Sequence, residues 1–268
     1  MNGDDAGAAV REATRKRDAV LAEVVAGAAR KPALVDAVGV SRSTVDRAVD
    51  DLTGAGLVED DGGTVRATVA GELALSARRE YESLTDALGE AEPLLSAMPE
   101  EAPLDRSLFA GADVALADPQ TPEAALDPAI GALSGADRLR GFAPVVKSNY
   151  ASVVYREVRE RGLSVELIVG RGTLESAAAV ARGREDLAAV LAAEEVDLLA
   201  TEGALPYALW IAERDDGDET VGVTVHDAGA IVGVLTTDDP DAAEWARGVY
   251  RAYREDAEAV DPDALGTE

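Results

Sequence analysis

A pair of adjacent glycines between two β-prone runs is the feature that most restricts how this chain can fold. The runs are Leu57–Val58 and Thr64–Val69, and the glycines between them are Gly62 and Gly63. Glycine adopts positive φ without steric strain, so it suits both central positions of a tight hairpin turn. The segment therefore predicts an antiparallel β-hairpin that ends near residue 69.

Three helical segments are predicted before the hairpin, after a small, acidic and mobile stretch at residues 1–9. The first helix spans about Val10–Gly27, and the second spans Lys31–Val38, which Gly39 ends. Ser41 is a favourable N-cap for the third helix, because its hydroxyl can accept a hydrogen bond from a free backbone N–H. The third helix has an apolar face with helical spacing at Val45, Val49 and Leu52.

Three helices followed by a glycine-containing hairpin at residues 10–69 predict an all-α winged helix-turn-helix, which is a DNA-binding domain. In such a domain the third helix enters the major groove with its N-terminal residues at the base edges. Short hydroxyl side chains can bond phosphate or bases, and arginine offers two donors to guanine. The predicted DNA-binding residues are Lys31, Ser41, Arg42, Ser43, Thr44, Arg47, Thr64 and Arg66. The alternative is that the third helix is an ordinary capped surface helix.

Acidic residues outnumber basic residues by 52 to 25, and only three of the bases are lysines. A carboxylate-rich, lysine-poor surface is tolerated in a high-salt cytoplasm, where salt screens the repulsion between like charges. Residues 1–68 hold nine bases and twelve acids, whereas residues 69–268 hold sixteen and forty. We therefore expect a halophilic source, with an acidic mesophilic protein as the alternative, and DNA contact in the N-terminal part. Asp46 and Asp50, on the same helix as the arginines, are expected to face away from DNA.

A connecting helix is predicted at residues 70–98, where small and apolar residues repeat at alternating spacings of four and three. This repeat is typical of a heptad seam, and Pro93 should kink or end the helix one turn early. We expect the seam to form a homodimer interface. The alternative is an intramolecular strut that packs against the C-terminal domain. The predicted dimer residues are Ala77, Tyr81, Leu84, Leu88 and Leu95.

After a linker at residues 99–103, β-prone and helical runs alternate across residues 105–260. Such alternation is typical of a mixed α/β domain. Strands are predicted near 107–116, 138–146, 164–169, 196–200, 209–212, 220–225 and 230–235. Helices are predicted near 121–133, 150–161, 174–193 and 240–256, the last of them capped by Asp238. His226 is expected in the turn between the last two strands.

Several stretches of the C-terminal part carry a family resemblance. They are ADRLRGFAPVVKSNY at 136–150, REVRERGLSVELIVG at 156–170, EGALPYALWIA at 202–212, VGVTVHDAGAIVGVL at 221–235 and DDPDAAEWARGVYRAYREDAEAV at 238–260. They resemble the C-terminal domain of archaeal winged-helix regulators of the methanogenesis-regulator (filament-regulator) family. The resemblance implies a mixed α/β regulatory domain behind the winged helix, in a haloarchaeal transcription regulator. The family's effectors are mostly undefined, so the resemblance implies no particular ligand.

The strand–helix–strand order also resembles a phospholipase-D-like fold, which some archaeal sugar-sensing regulators use without catalysis. Catalysis in that fold needs a His-x-Lys motif. The only histidine, His226, is followed by Asp227 and Ala228. We therefore expect no enzymatic activity. The chain has no cysteine, and we expect neither a cofactor nor a metal site.

An effector pocket in an α/β domain is expected at strand ends, where these folds place their ligands. Lys147 could neutralise an anionic metabolite there, or it could simply lie at a solvated helix start. The candidates after one strand are Pro144, Lys147, Ser148 and Tyr150. The candidates in the opposing loop are Glu202, Leu205, Pro206 and Tyr207, the last of which also suits the core.

These patterns together predict a homodimeric, sequence-specific transcription regulator that binds double-stranded DNA and senses a small molecule or a partner through its C-terminal domain. No apolar run is long enough to span a membrane, and residues 1–10 do not form a signal peptide, so a cytoplasmic protein is expected. The alternative is a protein-interaction adaptor whose winged helix contacts another protein instead of DNA.

Overall fold

The chain divides into two compact units, Met1–Ser83 and Leu84–Glu268, in a computed structural model. The structure describes residues 3–27, 29–145, 148–178 and 193–260. The first unit is mainly helical and the second is a mixed α/β unit built on a large sheet, which confirms the predicted α/β class. Within the described ranges, the structure contains no helix with the length and apolar character that a membrane span requires.

The first unit combines helices with a small antiparallel sheet. Its elements are α1 (Gly3–Lys16), α2 (Asp18–Ala26), β1 (Ala29–Arg30), α3 (Lys31–Val38), α4 (Arg42–Gly54), β2 (Val58–Asp61), β3 (Thr64–Ala67) and the first part of α5 (Val69–Glu90). The hairpin β2–β3 turns at Gly62 and Gly63, whose φ angles are 59° and 87°. Helix α3 ends at Gly39 with φ 70°, a left-handed conformation that glycine adopts without strain.

Two expectations for the first unit are wrong. Residues from Gly3 onwards are helical, and Arg17 interrupts the predicted single helix, so that α1 and α2 are separate. The unit is also not all-α, because β1 pairs with β3 and makes a three-stranded sheet in the order β1-β3-β2. The third helix behaves as predicted: its apolar face is buried in the core with Leu21, Leu34 and Leu57.

Helix α5 ends at Glu90, and a short helix α6 (Glu92–Ala97) carries Pro93 in its first turn. This confirms that proline ends the long helix early, since proline lacks the N–H that an interior helical position needs. The predicted seam does not form one continuous face. Leu84 and Leu95 pack against the core of the second unit, whereas other seam residues remain exposed.

The second unit is an eight-stranded sheet with helices on both faces. Its remaining elements are β4 (Asp113–Leu116), α7 (Asp127–Leu133), β5 (Arg138–Ala143), α8 (Ser148–Arg161), β6 (Ser164–Gly170), α9 (Arg171–Ala178), β7 (Val196–Thr201), β8 (Ala208–Glu213), β9 (Glu219–Asp227), β10 (Ala230–Thr237), α10 (Pro240–Glu255) and β11 (Glu258–Ala259). The strand order is β11-β7-β6-β5-β8-β9-β10-β4. Strands β5, β6 and β7 run parallel, and the other pairings are antiparallel.

Two large apolar cores lie in the described part of this unit, in addition to a smaller cluster that includes Val169 and Leu198. One includes Phe142, Leu209 and residues of α6 and α10, and the other includes Leu133, Val158 and residues of α7 and α8. Because strands alternate their side chains, neighbouring residues such as Leu209 and Trp210 contribute to different cores.

Several predicted boundaries in the second unit are wrong. Residues 106–109 form a 3-10 helix before β4 rather than a strand, since Asp105 caps them by accepting from the Ser107 N–H at 2.9 Å. Asp239, not Asp238, caps α10 and accepts hydrogen bonds from the backbone N–H groups of residues 241 and 242. Asp238 instead accepts from the Thr220 hydroxyl at 2.6 Å. Most of the helical stretch predicted at 174–193 lies outside the described residues.

Candidate nucleic-acid interface and ligand cleft

Helix α4 presents an exposed polar face at its N-terminal half. Arg42, Ser43 and Arg47 are exposed there, while Val45 and Val49 are buried on the opposite side. Neither arginine side chain forms an ion pair with another described residue. Both guanidinium groups are therefore available to an external acceptor such as a base edge or a phosphate.

The hydroxyls at the start of α4 form a small cluster around Ser41. The Ser41 Oγ accepts a hydrogen bond from the Thr44 N–H at 3.2 Å. The same oxygen lies 2.8 Å from Thr44 Oγ1 and 3.0 Å from Ser43 Oγ. Ser41 thus has the predicted cap role, and its contact with DNA stays a prediction.

The acidic residues of α4 are largely matched by cations of the same unit. Asp51 accepts from Arg17 Nε at 2.9 Å, and Asp46 lies 3.7 Å from the Lys31 ammonium. Asp50 is exposed, on the same side of the helix as Arg47. Asp46 lies one turn after Arg42 and one turn before Asp50, and both aspartates contribute to raising the pKa of Lys31. The expectation that these two aspartates face away from DNA stays a prediction.

Lys31 is held between α4 and the hairpin. Its ammonium lies 2.9 Å from Asp60 Oδ2 and is close to Asp46, so that only 24% of the side chain is exposed. The hydrogen bond with Asp60 raises the pKa of Lys31, and the same bond lowers the pKa of Asp60. The contact of Lys31 with DNA phosphate stays a prediction. It would require Lys31 to break its ion pairs with Asp46 and Asp60.

The outer face of the small sheet carries the other predicted wing residues. Arg66 is exposed and lies 3.7 Å from Asp61, and Thr64 is half-buried on the same strand. Arg30 is exposed and pairs directly opposite Thr64. Sequence analysis missed Arg30, and its one signal was a basic residue placed just before α3.

The predicted dimer residues are distributed unevenly along α5 and α6. The side chains of Tyr81 and Leu88 are 68% and 37% exposed, and Ala77 is exposed as well. Two large apolar residues that the heptad repeat did not include, Val69 and Leu73, are also exposed on α5. Leu84 and Leu95 are half-buried in the second unit and are therefore poor interface candidates.

A cleft of about 320 Å³ opens at the carboxyl ends of the parallel strands β5, β6 and β7. Of the predicted effector residues, three line it: Pro144, Glu202 and Leu205. The other lining residues are Gly170, Arg171, Gly172, Thr173, Thr201, Gly203 and Ala204. The prediction that ligands bind at these strand ends therefore coincides with an observed cavity.

The remaining effector candidates fall elsewhere. Tyr207 is fully buried in the core, where its hydroxyl donates to the Pro103 carbonyl and desolvation raises its pKa, so its assignment to a pocket is wrong. Pro206 is half-buried and does not line the cleft. Lys147 lies outside the described residues, as do the side chains of Ser148 and Tyr150.

Arg171 provides the cationic group of the cleft and was missed by sequence analysis. Its Nε lies 2.5 Å from Glu202 Oε1, and its Nη2 lies 3.2 Å from Glu258 Oε2. Thr173 donates to the Pro144 carbonyl at 2.8 Å, which ties α9 to the end of β5. The signal in the sequence was a Gly-Arg-Gly-Thr run directly after a predicted strand.

His226 is half-buried in strand β9, where it pairs with Ile231. The turn after it is formed by Ala228 and Gly229, whose φ angles are 46° and 80°. The expectation that His226 is a turn residue is therefore wrong.

Two family models match the chain. The model described as the middle domain of the methanogenesis regulatory protein FilR1 matches residues 122–256, which is half of the chain. The model described as the HVO_A0261 N-terminal domain matches residues 5–92. A comparison with curated proteins found no match.

Three solved structures illustrate the likeness to known folds. The archaeal chromatin protein TrmBL2 is 15% identical with a TM-score of 0.42, over 90% of this chain and 92% of that one. NucT from Helicobacter pylori is 16% identical with a TM-score of 0.40, over 56% of this chain and 97% of its own. The phospholipase D family member Nuc from Salmonella typhimurium is 15% identical with a TM-score of 0.40, over 56% and 98%. Scores at this level carry no inference, so the phospholipase-D-like topology stays a prediction.

Proposed function

The chain belongs to the family defined by the middle domain of the methanogenesis regulatory protein FilR1, and from this premise we propose that it is a DNA-binding transcription regulator. The first unit acts as a winged helix-turn-helix, with α4 in the major groove and the β2–β3 hairpin as the wing. The C-terminal unit acts as a regulatory domain. The regulator works in the cytoplasm of a halophilic archaeon, in keeping with its acidic, lysine-poor composition.

The observation that carries the proposal is the presence on α4 of two exposed arginines without an ion-pair partner among the described residues. Arg42 and Arg47 have no carboxylate partner among the described residues, whereas Asp46 and Asp51 are each matched by a cation. This arrangement keeps two guanidinium groups free at the end of the helix that would meet base edges. In a chain with a net charge of −27, such a local arrangement favours an anionic partner.

The regulator is proposed to act as a homodimer that uses the exposed apolar side chains of α5. Tyr81, Leu88 and Ala77 remain candidates from the heptad repeat, and Val69 and Leu73 join them because they are large, apolar and exposed. A dimer would present two copies of α4 to half-sites about one DNA turn apart. The cleft at the strand ends is proposed as the effector site, and no catalytic step is proposed.

The proposal is tested by genome-wide DNA occupancy of the tagged protein in the cells that produce it. The wild type is compared with Arg42→Ala/Arg47→Ala, and Arg11→Ala/Arg79→Ala removes two exposed arginines elsewhere in the same unit as a matched control. We expect discrete peaks over a shared inverted motif in the wild type and control, and their loss in the α4 variant. Equal and featureless occupancy in all three proteins would contradict DNA reading, and would favour an adaptor whose first unit contacts another protein.

A further inference from the structure

The cleft at the ends of β5, β6 and β7 has the groups of a specific binding site, and its chemistry identifies a class of ligand. We propose that it binds a small phosphorylated organic molecule, with the Arg171 guanidinium on the phosphate group. This inference rests on the proposed function, because it names the effector class of the regulatory unit. It is carried by two features of the cleft, its cation and its mixed lining, and Gly172 is compatible with it.

Arg171 forms ion pairs that a ligand can displace. Its two carboxylate partners, Glu202 and Glu258, are 79% and 82% exposed. Ion pairs between such exposed groups contribute little, because water solvates both charges. A phosphate that enters the cleft offers the planar guanidinium fork two oxygens in place of the Glu202 carboxylate. Glu202 is therefore a competitor of the ligand, and its removal strengthens binding.

Gly172 has no structural reason to be glycine. It lies in the first turn of α9 and lines the cleft, where alanine is a better helix former. Its φ is not in the left-handed region, and a Cβ added at this position meets no atom within 4 Å. The fold thus tolerates a side chain there. The same holds for the helical glycines Gly89, Gly131 and Gly248, which do not line the cleft. At Gly172 the missing side chain leaves open space in which a ligand can approach the backbone closely.

The other lining groups suit a phosphate with a small organic part. Thr201 accepts a hydrogen bond from the Gly203 N–H at 3.0 Å, and this role leaves its hydroxyl proton available for donation. Pro144, Ala204 and Leu205 supply apolar surface. A volume of about 320 Å³ is near the lower end for ligand pockets, and it is larger than a phosphate group alone occupies.

The experiment follows the melting temperature of the full chain during titration with inorganic phosphate and with glycerol 3-phosphate, at constant ionic strength in potassium chloride. Phosphate stabilises folded proteins in general, so the measured quantity is the difference between the wild type and Arg171→Gln. Arg159→Gln removes an exposed arginine on α8 and serves as the matched control. At saturation we expect a rise about 3 °C greater in the wild type and the control than in Arg171→Gln.

Two further variants test the site without relying on Arg171. Glu202→Gln is expected to reach half-saturation at about threefold lower ligand concentration. Gly172→Ala is expected to melt at or above the wild-type temperature in chloride and to bind at least about tenfold more weakly. Glycerol 3-phosphate is expected to bind about fivefold more tightly than inorganic phosphate, because only the former fills the apolar part.

Certain results would overturn the inference. An equal ligand response in Arg171→Gln and the wild type, or in Gly172→Ala and the wild type, would remove the cleft as the site. Equal affinity for the two ligands would remove the organic part of the proposal. DNA occupancy distinguishes this failure from failure of the proposed function: Arg42→Ala/Arg47→Ala tests DNA reading alone, and both cleft residues are remote from it in sequence.

Discussion

Replacement of Ser41 separates the stability of α4 from its contact with DNA. In Ser41→Ala, the Thr44 N–H loses its side-chain acceptor, which lies at 3.2 Å. N-cap serines contribute about 1 kcal/mol, and this bond is long and exposed, so we expect a loss of about 0.5–1 kcal/mol in the free energy of unfolding of the first unit. For a unit of this size, such a loss lowers the melting temperature by about 3–6 °C.

Ser41→Asp is expected to keep the stability of α4 while it weakens DNA binding, so it separates the two properties. Aspartate caps helices as well as serine does, and its charge interacts favourably with the helix N-terminus. Stability should therefore equal or exceed that of the wild type. A negative charge at the tip of α4 should nevertheless weaken DNA binding by about tenfold, through repulsion of phosphate and loss of a neutral hydroxyl.

Urea unfolding of the full chain, followed by a probe in the first unit, gives the free energies, and anisotropy of a labelled duplex drawn from an occupied site gives the affinities. The variants should rank in opposite orders in the two assays: Ser41→Asp is the more stable, and Ser41→Ala binds DNA better. Unchanged stability in Ser41→Ala would refute the cap, and wild-type DNA affinity in Ser41→Asp would refute the placement of α4 at the duplex.

Three further predictions concern the fold and the assembly. Gly222→Ala should destabilise the second unit by at least about 3 kcal/mol, because the added Cβ would lie 1.9 Å from the Trp210 ring; a urea midpoint equal to that of the wild type would contradict this packing. The pKa of Asp60 is lowered by Lys31, so its contribution to stability is present above the unfolded-state pKa near 3.8 and is lost as pH falls through the lower folded-state value. Asp60→Asn should therefore flatten the acid limb of the stability profile of the first unit, and an unchanged acid limb would show that the pair contributes nothing. Tyr81→Glu should convert a dimer into a monomer in light scattering, and an unchanged dimer mass would exclude α5 as the interface.

Local signals predicted several elements of the first unit. The bounds of α3, the Ser41 cap and the Gly62–Gly63 turn all follow from residues whose conformational preferences act over a few positions. Strand β1 was not predictable in this way. It has two residues, and it exists only because the chain passes beside β3, which is a tertiary contact without a local pattern.

The cleft shows a different limit of the sequence. The loops after strands were predicted as the effector site, and three of the predicted residues, Pro144, Glu202 and Leu205, line one cleft. Arg171 follows β6, and it reaches the same cleft as the loops after β5 and β7 only because β6 lies between those two strands. Sequence analysis missed Arg171 because the order of the strands is a property of the whole sheet. Tyr207 was misplaced because a tyrosine beside a loop can face either side, and burial of its ring is decided by packing.

Periodicity likewise indicated an apolar seam along α5 but not its partners. Leu84 and Leu95 keep the spacing of the seam and yet pack within the second unit. A repeat of apolar residues indicates only that one face of the helix is apolar. Which surface covers that face depends on neighbours that spacing does not encode.

The ion pairs that hold Lys31 between Asp46 of α4 and Asp60 of β2 also bear on how the proposed association with DNA could be favourable in the concentrated salt that we propose for this protein. Under such conditions little is gained from the release of counterions, because the bulk solution already holds them at high concentration. The binding free energy then comes mainly from direct contacts, and it is reduced by the conformational entropy that the contacting groups lose when they become ordered. A half-buried ammonium that fixes the helix against the hairpin before the duplex arrives makes that ordering loss smaller. Preorganisation of the reading surface would then replace part of the long-range electrostatic attraction on which proteins in dilute salt rely.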